Sequence, residues 1–318
     1  MSLVPVSAVI PTLGRPERVV RTLTGLLAQD CVPVEIIVID ASLPPLHSSR
    51  LPSTPGNVRI RLLPAVARGA ALQRNQGVAA STQPFVLFVD DDVDLDPGCT
   101  KTLWDALQAD PGLGAGGAVI INQSYHPPGR ALRRAYALLG CPATGSLAGR
   151  CCGPALNFLP ALAAPAPVPA ADWLNLCCTL VRRAALPAPP LLGFFHGYSL
   201  MEDAALTMEI AKRWRLAAPP AARVFHDVRP AAYKDRAFTR ERMETINRWF
   251  VMRHIMGRNS FAWDLRMAAL QAGMLALSLR TATGWRRFPA ALAGKLSGLT
   301  TVLLRGHRWR GYNPAPPL

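Results

Sequence analysis

Several common signatures are missing from this sequence. Acidic residues are scarce: 20 Asp and Glu stand against 35 Lys and Arg, a formal charge of +15. So large a cationic excess calls for nucleic acid, an anionic membrane surface or phosphate-bearing small substrates. No zinc-finger spacing and no aromatic RNA-binding motif occurs, so the expectation is no nucleic acid partner. No C-x-x-C occurs either. The cysteines (Cys31, Cys99, Cys141, Cys151, Cys152, Cys177 and Cys178) are odd in number and include two adjacent pairs, which suits neither a disulfide framework nor a zinc site. Buried thiols in a reducing cytoplasm are expected. The apolar run Met267–Leu279 falls short of the roughly 20 residues that cross a bilayer. Pro5 and Pro11 interrupt the first apolar stretch and no basic segment precedes it, so no signal peptide is expected. There is no internal repeat.

What is present is a chain that is 50% apolar, enough for a packed core. Its first half alternates two periodicities. Val6–Ile10, Val34–Ile39, Val58–Leu63, Phe85–Val89 and Ala118–Ile121 read as strands, several of them continuously apolar, as strands covered on both faces are. Between them, Val19, Val20, Leu23, Leu26 and Leu27 recur at helical spacing after Pro16, and Ala70–Ala80 and Pro97–Asp110 read as helices. This rhythm predicts an α/β fold with a mostly parallel, doubly wound sheet, whose ligands bind at the carboxyl ends of the strands. Residues 122–200 are irregular, with Pro-rich Ala161–Ala171 read as a loop, and acceptor recognition is expected there. A helix resumes near Asp203, and a second helical region begins near Phe238. In its last portion Phe288, Leu292, Leu296, Leu299 and Leu303 form an apolar stripe, with Lys295 near its edge and its stem free to snorkel.

Acidic residues follow two of the apolar strands directly. Asp40 follows Ile36–Ile39, and Asp90, Asp91 and Asp92 follow Phe85–Val89. Two carboxylates at Asp90 and Asp92, crowded into one turn, repel unless a hard divalent cation with oxygen ligands sits between them. Such a cation bridges a diphosphate and neutralises a leaving nucleotide. By itself the triplet reads equally well as a solvated acidic turn, because Asp94 and Asp96 follow before Pro97.

Four elements occur in order: Val9-Ile-Pro-Thr-Leu-Gly-Arg-Pro16, Ile36-Ile-Val-Ile-Asp40-Ala-Ser42, Arg74-Asn-Gln-Gly77 and Phe88-Val-Asp-Asp-Asp92. The series resembles the family-2 glycosyltransferases, enzymes of the Rossmann-like GT-A fold, over residues 6 to about 226. The resemblance implies an inverting, nucleotide-sugar-dependent glycosyltransferase that uses Mg2+ or Mn2+. By that resemblance Pro11, Thr12 and Arg15 line the nucleotide pocket and Asp40 meets the nucleobase. Arg74 and Asn75 approach the donor, with Arg74 on phosphate or ribose. Asp90 and Asp91 lie by the nucleotide sugar, and Asp92 binds the metal with Asp90. Ala41 departs from the acidic or amide residue often found there. Met201-Glu-Asp203 resembles the motif that supplies the catalytic base, with Asp203 first and Glu202 second; acidic residues also suit a first helical turn on dipole grounds alone. His226 resembles the histidine that completes the metal site. Asp172 and Trp173 resemble the acceptor floor, with Trp173 equally readable as core. Arg248-Trp249 is similar to the R-W of processive synthases, but Thr245 replaces the expected Gln and no membrane spans flank it.

The expected organisation is a catalytic domain over 1–230 and a basic amphipathic helical extension over 231–318. Arg280, Arg286, Arg287, Lys295, Arg305, Arg308 and Arg310 accompany the apolar stretches of that extension and suit an anionic leaflet. The expectation is therefore a cytoplasmic enzyme, peripheral on the inner face of the membrane, with a glycan or lipid-linked acceptor. Three other functions compete with this reading. A phosphotransferase of the haloacid dehalogenase type wants Thr or Val where Asp94 stands. A nucleotidyltransferase wants a glycine-rich first loop, and Ile10–Gly14 is poor in glycine. An inactive, membrane-associated binding protein would have no need of the carboxylates at 40, 90, 92 and 203.

Overall fold

Strand β1 (Ser2–Thr12) shows the logic of the core. Val4, Val6, Ala8 and Ile10 alternate onto one face and join the main apolar cluster. Val9 points the other way. The computed structural model of the chain describes residues 1–123, 125–163, 170–195, 197, 199–228 and 236–309. Most of the proline-rich run (164–169) and Arg310 lie outside the described residues.

The elements follow in chain order: α1 (Pro16–Leu27), β2 (Cys31–Asp40), β3 (Arg59–Pro64), α2 (Ala70–Ala80), β4 (Phe85–Val89), β5 (Val93–Leu95), α3 (Cys99–Ala109), β6 (Leu113–Gly117), β7 (Val119–Ile120), α4 (Arg130–Leu138), β8 (Cys151–Cys152), β9 (Leu156–Asn157), β10 (Cys178–Arg182), α5 (Glu202–Ala211), β11 (Arg215–Ala217), β12 (Arg223–His226), α6 (Ala237–Phe250), α7 (Phe261–Ser278) and α8 (Ala282–Arg305). A seven-stranded sheet runs β11-β6-β10-β4-β1-β2-β3. It is parallel except for β10, which is antiparallel to both β4 and β6. A small sheet β5-β12-β7 stands beside it in sequence terms, pairing Val93 with His226. The seven cysteines are free and buried.

The α/β fold with its mostly parallel sheet is as the sequence predicts; two details differ. The strand expected at Ala118–Ile121 is β7, in the smaller sheet, and the main sheet has a further, glycine-rich strand just before it, β6. Glycine is required there: a Cβ on Gly114 would lie 2.4 Å from the Trp214 Cβ, and one on Gly116 would lie 3.0 Å from Leu107. The expected irregular stretch also contains β10, a central strand of the main sheet.

Two compact units emerge. The first comprises Met1–His126, Ala148–Arg150 and Phe158–Val228 and contains the main sheet; the second gathers Pro127–Leu147, Cys151–Asn157 and the described residues after 235. Within the second, the leucine stripe does not face the core. Leu292, Leu296 and Leu303 are exposed, and the buried side of α8 is Ala291, Gly294, Lys295, Gly298 and Val302. Small residues let two helix backbones approach: a Cβ on Gly294 would sit 2.4 Å from the Phe238 carbonyl oxygen of α6. Lys295 does not snorkel. It is buried, with Glu241 Oε2 at 2.7 Å and Glu244 Oε2 at 3.2 Å. Arg248 and Trp249 are packed in this unit, Arg248 on Glu244 at 2.6 Å and the Trp249 indole donating to Asp264 at 3.1 Å. Among the described residues no helix is long and apolar enough to cross a membrane.

The other face of β1 tests the packing. A Cβ on Gly77 of α2 would lie 2.2 Å from Val9 Cγ1. Ala is favoured over Gly in a helix by about 1 kcal/mol, but overpacking costs about 1–3 kcal/mol. Gly77→Ala is therefore expected to lower stability in urea unfolding, and adding Val9→Ala to restore part of the loss. A Gly77→Ala protein more stable than the parent would contradict this packing.

Candidate active site

Three parallel strands end at one edge of the sheet, and each delivers a polar residue there: Thr12 from β1, Asp40 from β2 and Asp90 from just beyond β4. The strands are apolar and buried along their length, so their ends are fixed in position. Gln73, which the sequence reading missed, ties two of them together: its amide donates to the carbonyls of Thr12 at 3.0 Å and Ile39 at 2.8 Å. The only hint in the sequence was its place beside Arg74.

The acidic turn splits three ways. Asp91 points inward, accepting from the Thr12 hydroxyl at 2.7 Å and pairing with Arg15 at 2.8 Å. Burial pushes its carboxyl up to about 6, against the pull of Arg15 and Thr12. Asp92 is buried and uses its oxygens differently. Oδ2 meets Arg15 at 2.7 Å and Arg18 at 3.3 Å, while Oδ1 faces His226 Nε2 at 3.1 Å. Asp90 presents Oδ1 to Arg74 at 2.5 Å and Oδ2 toward His226 at 3.9 Å. Arg18 also reaches Asp227, at 3.3 Å. The sequence reading missed Arg18, which stands in the first turn of α1, three residues after the N-cap residue Arg15.

His226 ends β12. Its backbone is held on both sides by Asn122, whose side chain donates to the His226 carbonyl at 2.9 Å and accepts its N–H at 3.0 Å. The ligand atoms of Asp90, Asp92 and His226 all lie within 4.8 Å of one another. An oxygen, oxygen, nitrogen donor set suits Mg2+ or Mn2+. Asp92 Oδ1 lies 3.1 Å and Asp90 Oδ2 3.9 Å from His226 Nε2, close enough for all three to reach one ion. Asp90, Asp91, Asp92, Glu202, Asp203 and Asp227 outnumber the guanidiniums of Arg15, Arg18 and Arg74, which leaves room for a cation's charge.

Helix α5 brings the second acidic pair. Met201 precedes it in the left-handed region (φ 71), a conformation costing on the order of 1–3 kcal/mol for a residue with a Cβ. Glu202 is buried and paired with Arg74, which thereby bridges Glu202 and Asp90. Burial drives the Glu202 carboxyl up while Arg74 opposes the rise. Asp203 is half-buried, and its Oδ1 accepts from the Ala204 N–H at 2.7 Å. Burial pushes its carboxyl up to about 6, with the Ala204 bond and Arg74 opposing.

The remaining expected site residues are occupied otherwise. Both Asp40 oxygens are used to fold the following loop: Oδ1 accepts from the Ser42 N–H and hydroxyl, and Oδ2 from the Leu46 N–H at 2.6 Å. Ser42 in turn accepts from the Gly14 N–H at 2.7 Å, which joins this loop to the one after β1. Asn75 makes a two-way bond to the backbone of Leu191, at 2.7 and 2.9 Å. Pro11 sits within β1 opposite Ile39. Trp173 is buried and donates to the Phe158 carbonyl at 3.0 Å. Asp172 pairs with Arg150 at 2.9 Å.

No curated protein matches the sequence. Residues 7–136 match the model of glycosyl transferase family 2. The match ends before Glu202, Asp203 and His226. A mannosyltransferase from Pyrobaculum calidifontis, solved with GDP-Man and Mn2+, overlays with a TM-score of 0.50 at 15% identity, covering 94% of this chain and 87% of that one. A glucosyl-3-phosphoglycerate synthase from Mycobacterium tuberculosis, solved with Mn2+, UDP and glucosyl-3-phosphoglycerate, overlays at 0.46 and 15% identity, covering 80% of this chain and 81% of that one. At such identities the likeness is one of fold. Residues 7–136 are thus similar in sequence to glycosyl transferase family 2, and the chain shares the fold of the mannosyltransferase.

Proposed function

We propose that the chain moves a sugar from a nucleotide-sugar donor to a hydroxyl of a glycan or lipid-linked acceptor, with inversion at the anomeric carbon. The observation that supports this reading most is the convergence of Asp90, Asp92 and His226 at the carboxyl edge of the sheet. In this reading these three residues hold Mn2+ or Mg2+, and the bound ion supplies charge neutralisation for a departing diphosphate. Arg15 and Arg18 fix Asp92 through its other oxygen. Thr12, Asp91 and Asp40 shape the two loops that line the nucleotide pocket. Arg74 orients Asp90 and Glu202 toward the donor, and Asp172 and Trp173 support the acceptor side.

Asp203 is the base of this proposal. Glu202 is buried and its carboxylate is engaged by Arg74, so it is less open to an acceptor hydroxyl than half-buried Asp203. With its carboxyl near 6, Asp203 is ionised at neutral pH and still basic enough to take a proton. It removes the acceptor hydroxyl proton as that oxygen bonds to the anomeric carbon. In the same step the bond from that carbon to the diphosphate oxygen breaks, and the nucleoside diphosphate leaves. One displacement inverts the centre. The basic C-terminal helices meet an anionic membrane surface in the same reading, which brings the enzyme to a lipid-linked acceptor.

Asp92→Ala and His226→Ala are each expected to weaken Mn2+ binding by at least about tenfold, read by calorimetry, and to cut turnover in a screen of UDP-, GDP- and dTDP-sugars. Unchanged Mn2+-dependent turnover in Asp92→Ala would overturn the assignment. Asp203→Asn is expected to lower kcat by about 100-fold or more, with donor binding retained and the rise in rate through pH 6 abolished. A carboxyl whose folded pKa is raised stabilises the fold below its unfolded value, near 4, and that contribution is lost as pH climbs through about 6. In the metal-free protein Asp203→Asn therefore raises the melting temperature above pH 6 relative to the parent and loses that advantage near pH 4.

A further inference from the structure

The outer faces of α7 and α8 are built the wrong way round for water. On α7, Phe261, Leu265, Ala268, Ala272 and Ala276 recur at helical spacing on the exposed side, and no exposed residue of this 18-residue helix is polar. Phe261 is 82% exposed and Leu265 62%. On α8, Trp285, Leu292, Leu296 and Leu303 form an exposed stripe, Trp285 at 63% and Leu303 at 80%. The side that α8 buries carries Gly294 and Gly298 instead. A helix in water gains by burying its leucines and exposing its small and polar residues. Packing through small residues with large apolar side chains turned outward is favourable where the surrounding medium is itself hydrocarbon.

Charge decides what that medium is. Every exposed charged residue of Phe261–Gly306 is an arginine: Arg280, Arg286, Arg287 and Arg305. The one acid in the stretch, Asp264, pairs with Arg253 at 2.6 Å. Two copies of the chain meeting through these helices would bring like charges together, whereas an anionic phospholipid surface complements them. Neither helix is long and apolar enough to cross the bilayer. We infer that α7 and α8 lie in the plane of an anionic membrane, with Phe261, Leu265, Trp285, Leu292, Leu296 and Leu303 inserted among the acyl chains and the arginines at the headgroups. This rests on the membrane-surface reading above and sharpens it from attraction of charge to insertion of apolar side chains.

Flotation of the full chain with phosphatidylglycerol vesicles, without any donor sugar, tests it independently of glycosyl transfer. Binding is expected, with a part that survives about 1 M salt, where the Debye length is only about 3 Å. Leu265→Glu and Leu296→Glu should each reduce bound protein about tenfold or more with unchanged melting temperature, because both sites are exposed. Arg280→Gln with Arg286→Gln should weaken binding to phosphatidylglycerol vesicles and leave binding to phosphatidylcholine vesicles as it was. Binding that salt abolishes and that both glutamate variants retain would overturn insertion while leaving the charged contact standing. Absence of any vesicle binding would overturn both, and concentration-dependent self-association lost in Leu265→Glu would assign the face to a second copy instead.

Discussion

The carboxylate of Asp92 is divided between two kinds of partner, and the site is organised by that division. One oxygen is held by Arg15 and Arg18 from the first helix; the other looks toward His226 from the last strand of the first unit. A buried carboxylate with no cation beside it is untenable at neutral pH. The arginines therefore fix its direction, and its other oxygen is left facing His226 Nε2 at 3.1 Å. Asp91 and Asp90 extend the same scheme, one turned inward to Thr12 and the other outward to Arg74. Three consecutive acids survive side by side because Arg74 meets Asp90, Arg15 bridges Asp91 and Asp92, and Arg18 adds to Asp92.

Arg74 carries this arrangement across the pocket. It is buried between Asp90, on the donor side, and Glu202, at the start of the helix that also bears Asp203. In the proposed function, that one buried side chain links the metal-binding strand edge to the helix start that carries the base. The strain at Met201 and the burial of Glu202 and Asp203 both lower stability, and both set these carboxyls where they stand, a pattern usual at functional sites.

Much of this was legible in the sequence. Continuous apolar strands followed at once by Asp40 and by Asp90–Asp92 gave the sheet, its ligand edge and the metal-type pair, because strand burial and loop chemistry are both local signals. Less legible was what depended on distant partners. Whether Asp40 faces a ligand or folds its own loop is decided by Ser42 and Leu46, and Gln73 and Asn122 act through backbone groups far away in the chain. Strands β6 and β10 escaped notice because glycine and a loop-rich setting mask strand propensity; the glycines of β6 are dictated by Trp214 and Leu107, which periodicity cannot see. The leucine stripe of α8 was legible as a stripe, but periodicity reveals that a helix has two faces and not which one a neighbour covers. Gly294 and Gly298, matched to the backbone of α6, settle that.

The most direct test of the central claim is an anomalous difference map from a crystal grown with Mn2+ and a nucleoside diphosphate. The account predicts a single strong peak among Asp90, Asp92 and His226, with Arg15 and Arg18 still on the far oxygen of Asp92. A manganese peak elsewhere in the first unit, with His226 turned away from Asp92, would contradict it.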